Sequence, residues 1–186
     1  MPKLTVILAS VREGRAGEAI AQWFVTRAKE HGKFDVQLAD LKELNLPILD
    51  EPHHPRFKKY VHDSTKAWSA IVDASDAFVF VTPEYNYTLP PALVNALDTV
   101  YHEWTYKPVG FVSYGGVSGG MRAVQTAKLM VTGFKMVPMV EVVAIPFVQQ
   151  LLENGVFKSN EMHDKAVPVM LDEMWSWSEA LKSLRT

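Results

Sequence analysis

Three short segments of this 186-residue chain hold residue types that suit a ligand as well as a core. The first is Ser10-Val11-Arg12-Glu13-Gly14-Arg15-Ala16-Gly17, directly ahead of a helical pattern. Glycines let a backbone turn its N–H groups inward, a helix start favours an anion, and an arginine can grip a phosphate with two parallel bonds. The segment lacks the Gly-Lys-Ser/Thr ending of a P-loop and the glycine spacing of a dinucleotide site. Alone, it reads equally well as a glycine turn with two solvated arginines.

The second segment is Thr82-Pro83-Glu84-Tyr85-Asn86-Tyr87-Thr88-Leu89-Pro90-Pro91. Its tyrosines, asparagine and prolines could form a flat, semi-rigid wall for an aromatic ring. Taken alone, a proline-framed turn whose aromatics cover a sheet end is the simpler reading. The third is Ser113-Tyr114-Gly115-Gly116-Val117-Ser118-Gly119-Gly120. Four glycines in eight residues allow close backbone approach to a ligand and free N–H donors for a planar heterocycle. By itself this segment also fits a loop capping a strand, with Ser118 opening the next helix.

The elements that must position these segments follow from hydrophobic spacing. Leu4 to Leu8 reads as a buried strand, and Ile20, Trp23, Phe24 and Ala28 fall on one helical face. Phe34 to Ala39 alternates as a second strand, and 41–55 reads as a long loop. Ser64 to Asp73 predicts a helix, and Ala77 to Val81 the most buried strand. Pro90 and Pro91 suit the first turn of a helix running to about Val100. Val109 to Ser113 predicts the fourth strand, Gly119 to Val131 a helix, and Val140 to Ile145 the fifth strand. Val167, Met170, Leu171, Met174, Ser178, Leu181 and Leu184 line one face of a final helix.

Strands alternating with helices imply an α/β protein: a three-layer flavodoxin-like sandwich around a five-stranded parallel sheet of order 2-1-3-4-5. Residues 1–186 read as one domain. In this order the ligand crevice opens at the carboxyl ends of strands one and three. The three segments follow strands one, three and four, so all fall on that edge. One suits a phosphate, one an aromatic ring, one a polar ring edge. Flavin mononucleotide (FMN) joins a phosphate to a large planar heterocycle and needs no cysteine.

Composition narrows the function. There are no cysteines, which excludes disulfides, thiolate metal sites, iron–sulfur clusters and a cysteine nucleophile. The net charge is -2 with scattered Lys and Arg, unlike a nucleic-acid binder. No apolar run reaches the length of a membrane span, and the N-terminus does not read as a signal peptide. The default expectation is a cytoplasmic protein with no nucleic-acid or membrane partner.

With these residues in hand, Ser10-x-Arg12-x-Gly14-Arg15, Pro83-Glu84-Tyr85-Asn86-Tyr87 and Ser113-Tyr114-Gly115-Gly116 resemble the NADPH-dependent FMN reductase family, a flavodoxin-like group of quinone, chromate and azo reductases. The likeness covers roughly the first 145 residues. Its most specific part is the Pro-Glu-Tyr-Asn-Tyr segment, continued by Leu89 to Leu93 and Asn95 to Asp98. The resemblance implies that Ser10, Arg12 and the turn through Arg15 to Gly17 hold the FMN phosphate. It implies that Pro83, Glu84, Tyr85, Asn86 and Tyr87 line the flavin ring, while Ser113, Gly115 and Gly116 approach its pyrimidine side. Two positions depart from the pattern. Ala9 replaces a glycine common in the family, and Arg15 replaces a phosphate-binding serine of one branch, leaving open whether it takes over that bond or faces solvent.

The function so implied is an FMN-dependent NAD(P)H oxidoreductase. NADPH or NADH donates two electrons, which pass by a ping-pong mechanism to a quinone, an azo compound, chromate or free flavin. A flavodoxin-type carrier and a non-catalytic FMN-binding regulatory module are the alternatives, and the near-neutral charge argues against the first. No catalytic side chain is expected, because the flavin does the chemistry. Glu84 is the one candidate acid or base, and its expected part is to shape the loop or meet a partner subunit. His53 and His54 have no third ligand at helical spacing, so no metal site is expected. Tyr101, His102, Trp104 and Tyr106 form an aromatic cluster that could be core or interface. The resemblance favours an interface near the flavin edge, in a homodimer or homotetramer.

Overall fold

The structure, a computed structural model, describes residues 1–185. Five parallel strands, β1 (Lys3–Leu8), β2 (Asp35–Asp40), β3 (Ala77–Pro83), β4 (Pro108–Tyr114) and β5 (Val137–Ile145), form one sheet of order β2-β1-β3-β4-β5. This is the expected doubly wound order. β3 and β4 are buried along their whole length, as continuous apolar runs require between two helical layers.

The two faces of the sheet build two cores. Leu4, Val6 and Leu8 of β1, with Val79 and Val81 of β3, pack under α1 (Gly17–His31) and α6 (Glu161–Ala180). α6 lies directly on β4, since a Cβ on Gly110 would meet Met174 Sδ at 2.6 Å and Met170 Sδ at 2.8 Å. On the other face Ile7, Phe78, Phe80 and Phe111 pack under α3 (Asp63–Asp73), α4 (Pro91–Thr99) and α5 (Met121–Thr132). Trp104 lies edge-on to Trp68, Phe78 and Phe80. Both buried indoles are satisfied, Trp68 Nε1–H donating to Ala96 O and Trp104 Nε1–H to Leu97 O. Full burial of each Val, Leu, Ile or Phe in these cores stabilises the fold by roughly 1.5–3 kcal/mol.

Several expectations are corrected. The stretch after β2 is not all loop: the Asp40 carboxylate accepts from Lys42 N–H and caps a helical turn, α2 (Leu41–Leu44). Leu184 is not on the face of α6, which ends at Ala180; it sits exposed in a following 3₁₀ turn. β5 starts three residues before the predicted strand. A small antiparallel hairpin of β6 (Leu152–Glu153) and β7 (Val156–Phe157) follows β5 and had no legible pattern. Trp104 is wholly buried in the core rather than at an interface, and the Tyr101–Tyr106 segment leads into the amino end of β4. It therefore lies at the opposite edge of the sheet from the three glycine- and tyrosine-bearing loops.

Candidate functional site

The first loop leaves β1 at Ala9 and turns into α1. Ser10 is buried, and its Oγ accepts a hydrogen bond from the Tyr114 hydroxyl at 3.0 Å. Arg12 is exposed; its Nε–H donates to the Tyr85 hydroxyl at 3.0 Å, and its guanidinium lies 5.6 Å from that ring's centre. Among the described residues no protein acceptor engages its Nη1 or Nη2. Arg15 behaves differently. Its fork closes on both carboxylate oxygens of Asp40 and also reaches the carbonyl of Ser10. Arg15 thus ties the β1 loop to the end of β2, and Asp40 offsets its charge. Of the two expected phosphate arginines, only Arg12 keeps a free fork. Gly14, at φ +64°, gives the turn its left-handed residue. The N-cap Ala16 makes no side-chain capping bond, so the first-turn N–H groups of α1 stay available to an anion.

The second loop is a tight hairpin. Tyr85 and Thr88 exchange backbone hydrogen bonds of 3.0 Å around Asn86 (φ +49°) and Tyr87 (φ +73°). Two consecutive left-handed residues are the mark of a type I′ turn, which suits asparagine and strains tyrosine. The Tyr87 ring does not line the cleft; it stays largely exposed, with the Arg122 guanidinium 4.2 Å from its centre. Glu84 ties this loop to the third. Its carboxylate accepts from Ser118 Oγ (2.8 Å), Arg122 N–H (3.1 Å) and Arg122 Nη1 (2.8 Å). Burial pushes the Glu84 carboxyl up, but the bonds from Ser118 and Arg122 outweigh it and hold it below the ordinary carboxylate value. It is a fixed anion near the start of α5, where such a charge is favoured.

In the third loop Ser113 points inward, its hydroxyl donating to Gly119 O. The N–H of Gly115 is not free for a ligand, since it donates to Ile145 O. Gly116 is the open position: a Cβ there would meet nothing within 4 Å. Gly17, expected at the phosphate, is buried. A Cβ on Gly17 would meet Tyr114 Oη, Ser10 Oγ and Leu8 Cδ1, so its role is packing.

These loops enclose one cleft of about 620 Å³ at the carboxyl edge of the sheet. Such a size lies within the range of about 300–1,000 Å³ typical of small-molecule sites. Of the expected residues, Ser10, Arg12, Arg15, Pro83, Glu84, Tyr85, Asn86, Gly115 and Gly116 line it; Gly17, Tyr87 and Ser113 do not. Sequence reasoning missed Tyr114 and the segment Phe147–Gln150. In this strand order the loop after β5 neighbours the loop after β4, and that topology was the signal available. Burial pushes the Tyr114 phenol above its ordinary value, so it stays neutral and serves as a donor to Ser10. The cleft suits FMN chemically: an uncapped helix start with a free arginine fork at one end, a slot walled by Tyr85 and backbone at the other. His53 and His54 stand apart from it. His54 Nδ1 accepts from Arg56 N–H and caps a 3₁₀ turn, and no group of three metal-ligating side chains occurs among the described residues.

Comparison with known proteins agrees with this geometry. A family model described as NADPH-dependent FMN reductase matches residues 2–150. An NAD(P)H-dependent FMN reductase of Schizosaccharomyces pombe is 45% identical over 121 residues, 64% of this chain. That match spans only 60% of the relative's length. One of Saccharomyces cerevisiae is 37% identical over 146 residues, covering 72% of this chain and 75% of the relative. Among solved structures, the flavoenzyme NAD(P)H:(acceptor) oxidoreductase of Paracoccus denitrificans is similar with a TM-score of 0.75. At 21% identity, over 97% of this chain and 98% of that one, the likeness shows the fold.

Proposed function

The chain belongs to the NADPH-dependent FMN reductase family, and from that premise we propose that residues 1–186 act as one FMN-binding domain that oxidises NADPH or NADH and reduces small acceptors such as quinones, azo compounds, chromate or free flavin. The observation that carries this reading is the single cleft joining a cation-bearing helix start to a slot of tyrosine and backbone. Ser10, Arg12 and the turn through Ala16 hold the phosphate. Pro83 to Asn86 and Gly115–Gly116 hold the ring. The two-electron chemistry is what FMN supplies when bound. Overall, NADPH gives up a hydride and leaves as NADP⁺; a quinone takes two electrons and two protons, one of them from solvent, and leaves as hydroquinone.

The chain's own part is position. Tyr114 fixes Ser10, Arg12 links phosphate loop to ring loop through Tyr85, and Glu84 locks the ring loop to α5. Mixing purified protein with NADPH and a quinone tests the proposal. Rapid NADPH oxidation is expected; an electron carrier or a non-catalytic module would give little or none.

With one open cleft serving donor and acceptor in turn, double-reciprocal plots are expected to be parallel, and intersecting lines would contradict the shared site. Because Glu84 is held ionised, Glu84→Gln should leave kcat within roughly 10-fold with FMN bound, whereas a true general acid or base contributes roughly 10²–10⁴-fold. A loss beyond that lower bound would show that Glu84 moves a proton.

The assembly proposed is a homodimer or homotetramer. The exposed side chains of Tyr87 and Val117 beside the cleft support it, in place of the aromatic segment at the far edge. Light scattering of FMN-bound protein at micromolar concentration is expected to give at least twice the chain mass; a monomer mass would remove the assembly.

A further inference from the structure

The chain leaves β5 through an unfavourable conformation. Phe147 takes φ +49°, a left-handed value that bulky side chains rarely adopt. The backbone is fixed there from both sides. Phe147 N–H donates to Gly116 O at 3.0 Å, Val148 N–H donates to Gly115 O at 3.1 Å, and the Val148 side chain is buried in the core. Yet the side chain so positioned is not used by the core. Phe147 is 50% exposed and lines the cleft beside Gly115 and Gly116. Asparagine or glycine would adopt this backbone at lower cost, and a polar side chain would suit the exposure.

Two other aromatic residues among those described share the conformation, and each has a protein partner. Arg122 lies over the Tyr87 ring at 4.2 Å, and Lys135 over the Tyr106 ring at 5.5 Å. Phe147 has no such cation, carries no hydroxyl to bond, and faces the cleft. The backbone ties the loop after β5 to the third loop, but the exposed ring belongs to neither core. That ring presents an apolar face to whatever enters the cleft.

We propose that Phe147 is a stacking platform that selects planar aromatic acceptors, quinones in the first place, over inorganic oxyanions such as chromate. Ring–ring contact favours offset or edge-on packing of flat π-systems, and an oxyanion offers no ring face. Phe147 touches the acceptor and carries no electron or proton. The inference rests on the oxidoreductase reading and names the acceptor class of that same cleft.

Two variants test it without depending on a fragile fold. Phe147→Asn suits the left-handed backbone and removes the ring, and Phe147→Tyr keeps the ring. Equilibrium dialysis of 1,4-naphthoquinone against oxidised, FMN-loaded protein, with no nicotinamide present, reads binding apart from turnover. Phe147→Asn is expected to weaken naphthoquinone binding roughly 5- to 10-fold and raise its KM alike, while Phe147→Tyr restores both. With each variant saturated with FMN beforehand, the KM for chromate and the oligomeric mass should not change, and the Tm of Phe147→Asn should be no lower. Unchanged naphthoquinone binding in Phe147→Asn would overturn the proposal, as would an equal loss for chromate. A change in oligomeric mass would also overturn it, by assigning the ring to a subunit contact. Naphthoquinone binding that depends on Phe147 without NADPH oxidation would uphold the platform and remove the oxidoreductase reading.

Discussion

Replacing Arg12 by alanine is expected to weaken FMN binding by roughly 10- to 100-fold and to leave riboflavin binding unchanged, since a hydrogen bond to a charged group contributes about 1.5–3 kcal/mol and 1.4 kcal/mol is tenfold. The choice of Arg12 rests on what happens to its neighbour. Arg15 has closed its fork on Asp40 and on the Ser10 carbonyl, so little of it remains for a phosphate. Arg12 spends only Nε, on Tyr85. Arg15→Ala would fail differently, leaving the Asp40 carboxylate without its cation and costing fold stability first. Fluorescence titration with FMN and riboflavin checks the prediction. Equal wild-type affinity for the two would remove the phosphate site, and a matched loss of both in Arg12→Ala would make Arg12 a support for the ring loop alone.

The contrast between the two arginines shows what the sequence could and could not reveal. Residue types after strands one, three and four were legible because strand and helix periods place those loops on one edge without any tertiary knowledge. Arg15 was not, because the partner that engages it is Asp40 at the end of β2, 25 residues away. Ser113 and Tyr114 show a related limit. Adjacent residues at the end of a strand point to opposite faces, and the pattern alone did not say which enters the cleft. Ser113 bonds inward to Gly119, while Tyr114 reaches across to Ser10. The type I′ turn at Asn86–Tyr87 was hidden as well, since tyrosine is not a residue that announces a left-handed conformation. The residue pattern left Trp104 open between core and interface, because aromatic clustering looks alike in both, and only the resemblance favoured an interface; its place beside Phe78 and Phe80 depends on how the chain after α4 folds back.

Gly17 is a further position where sequence and structure assign different roles to one residue, and Gly17→Ala separates them. If the glycine were there for the ligand, a methyl group would face the cleft and only FMN affinity would fall. The geometry says otherwise. The new Cβ would lie 2.4 Å from Tyr114 Oη, 2.6 Å from Ser10 Oγ and 2.8 Å from Leu8 Cδ1, all within the fold. Its φ is not left-handed, so the cost is one of packing rather than backbone strain. Overpacking a close-fitted site costs about 1–3 kcal/mol, and in a chain of this size each kcal/mol lowers Tm by about 2–4 °C. Gly17→Ala should therefore lower Tm by several degrees even without FMN. It should also weaken FMN more than riboflavin, because two of the three crowded atoms belong to the Ser10–Tyr114 pair at the phosphate end. Thermal unfolding of FMN-free protein decides the matter. An unchanged Tm with FMN affinity lost would return Gly17 to the ligand. A lowered Tm would establish that the first turn of α1 sits close to β4 because residue 17 has no side chain, and that this closeness sets Ser10 at the mouth of the cleft.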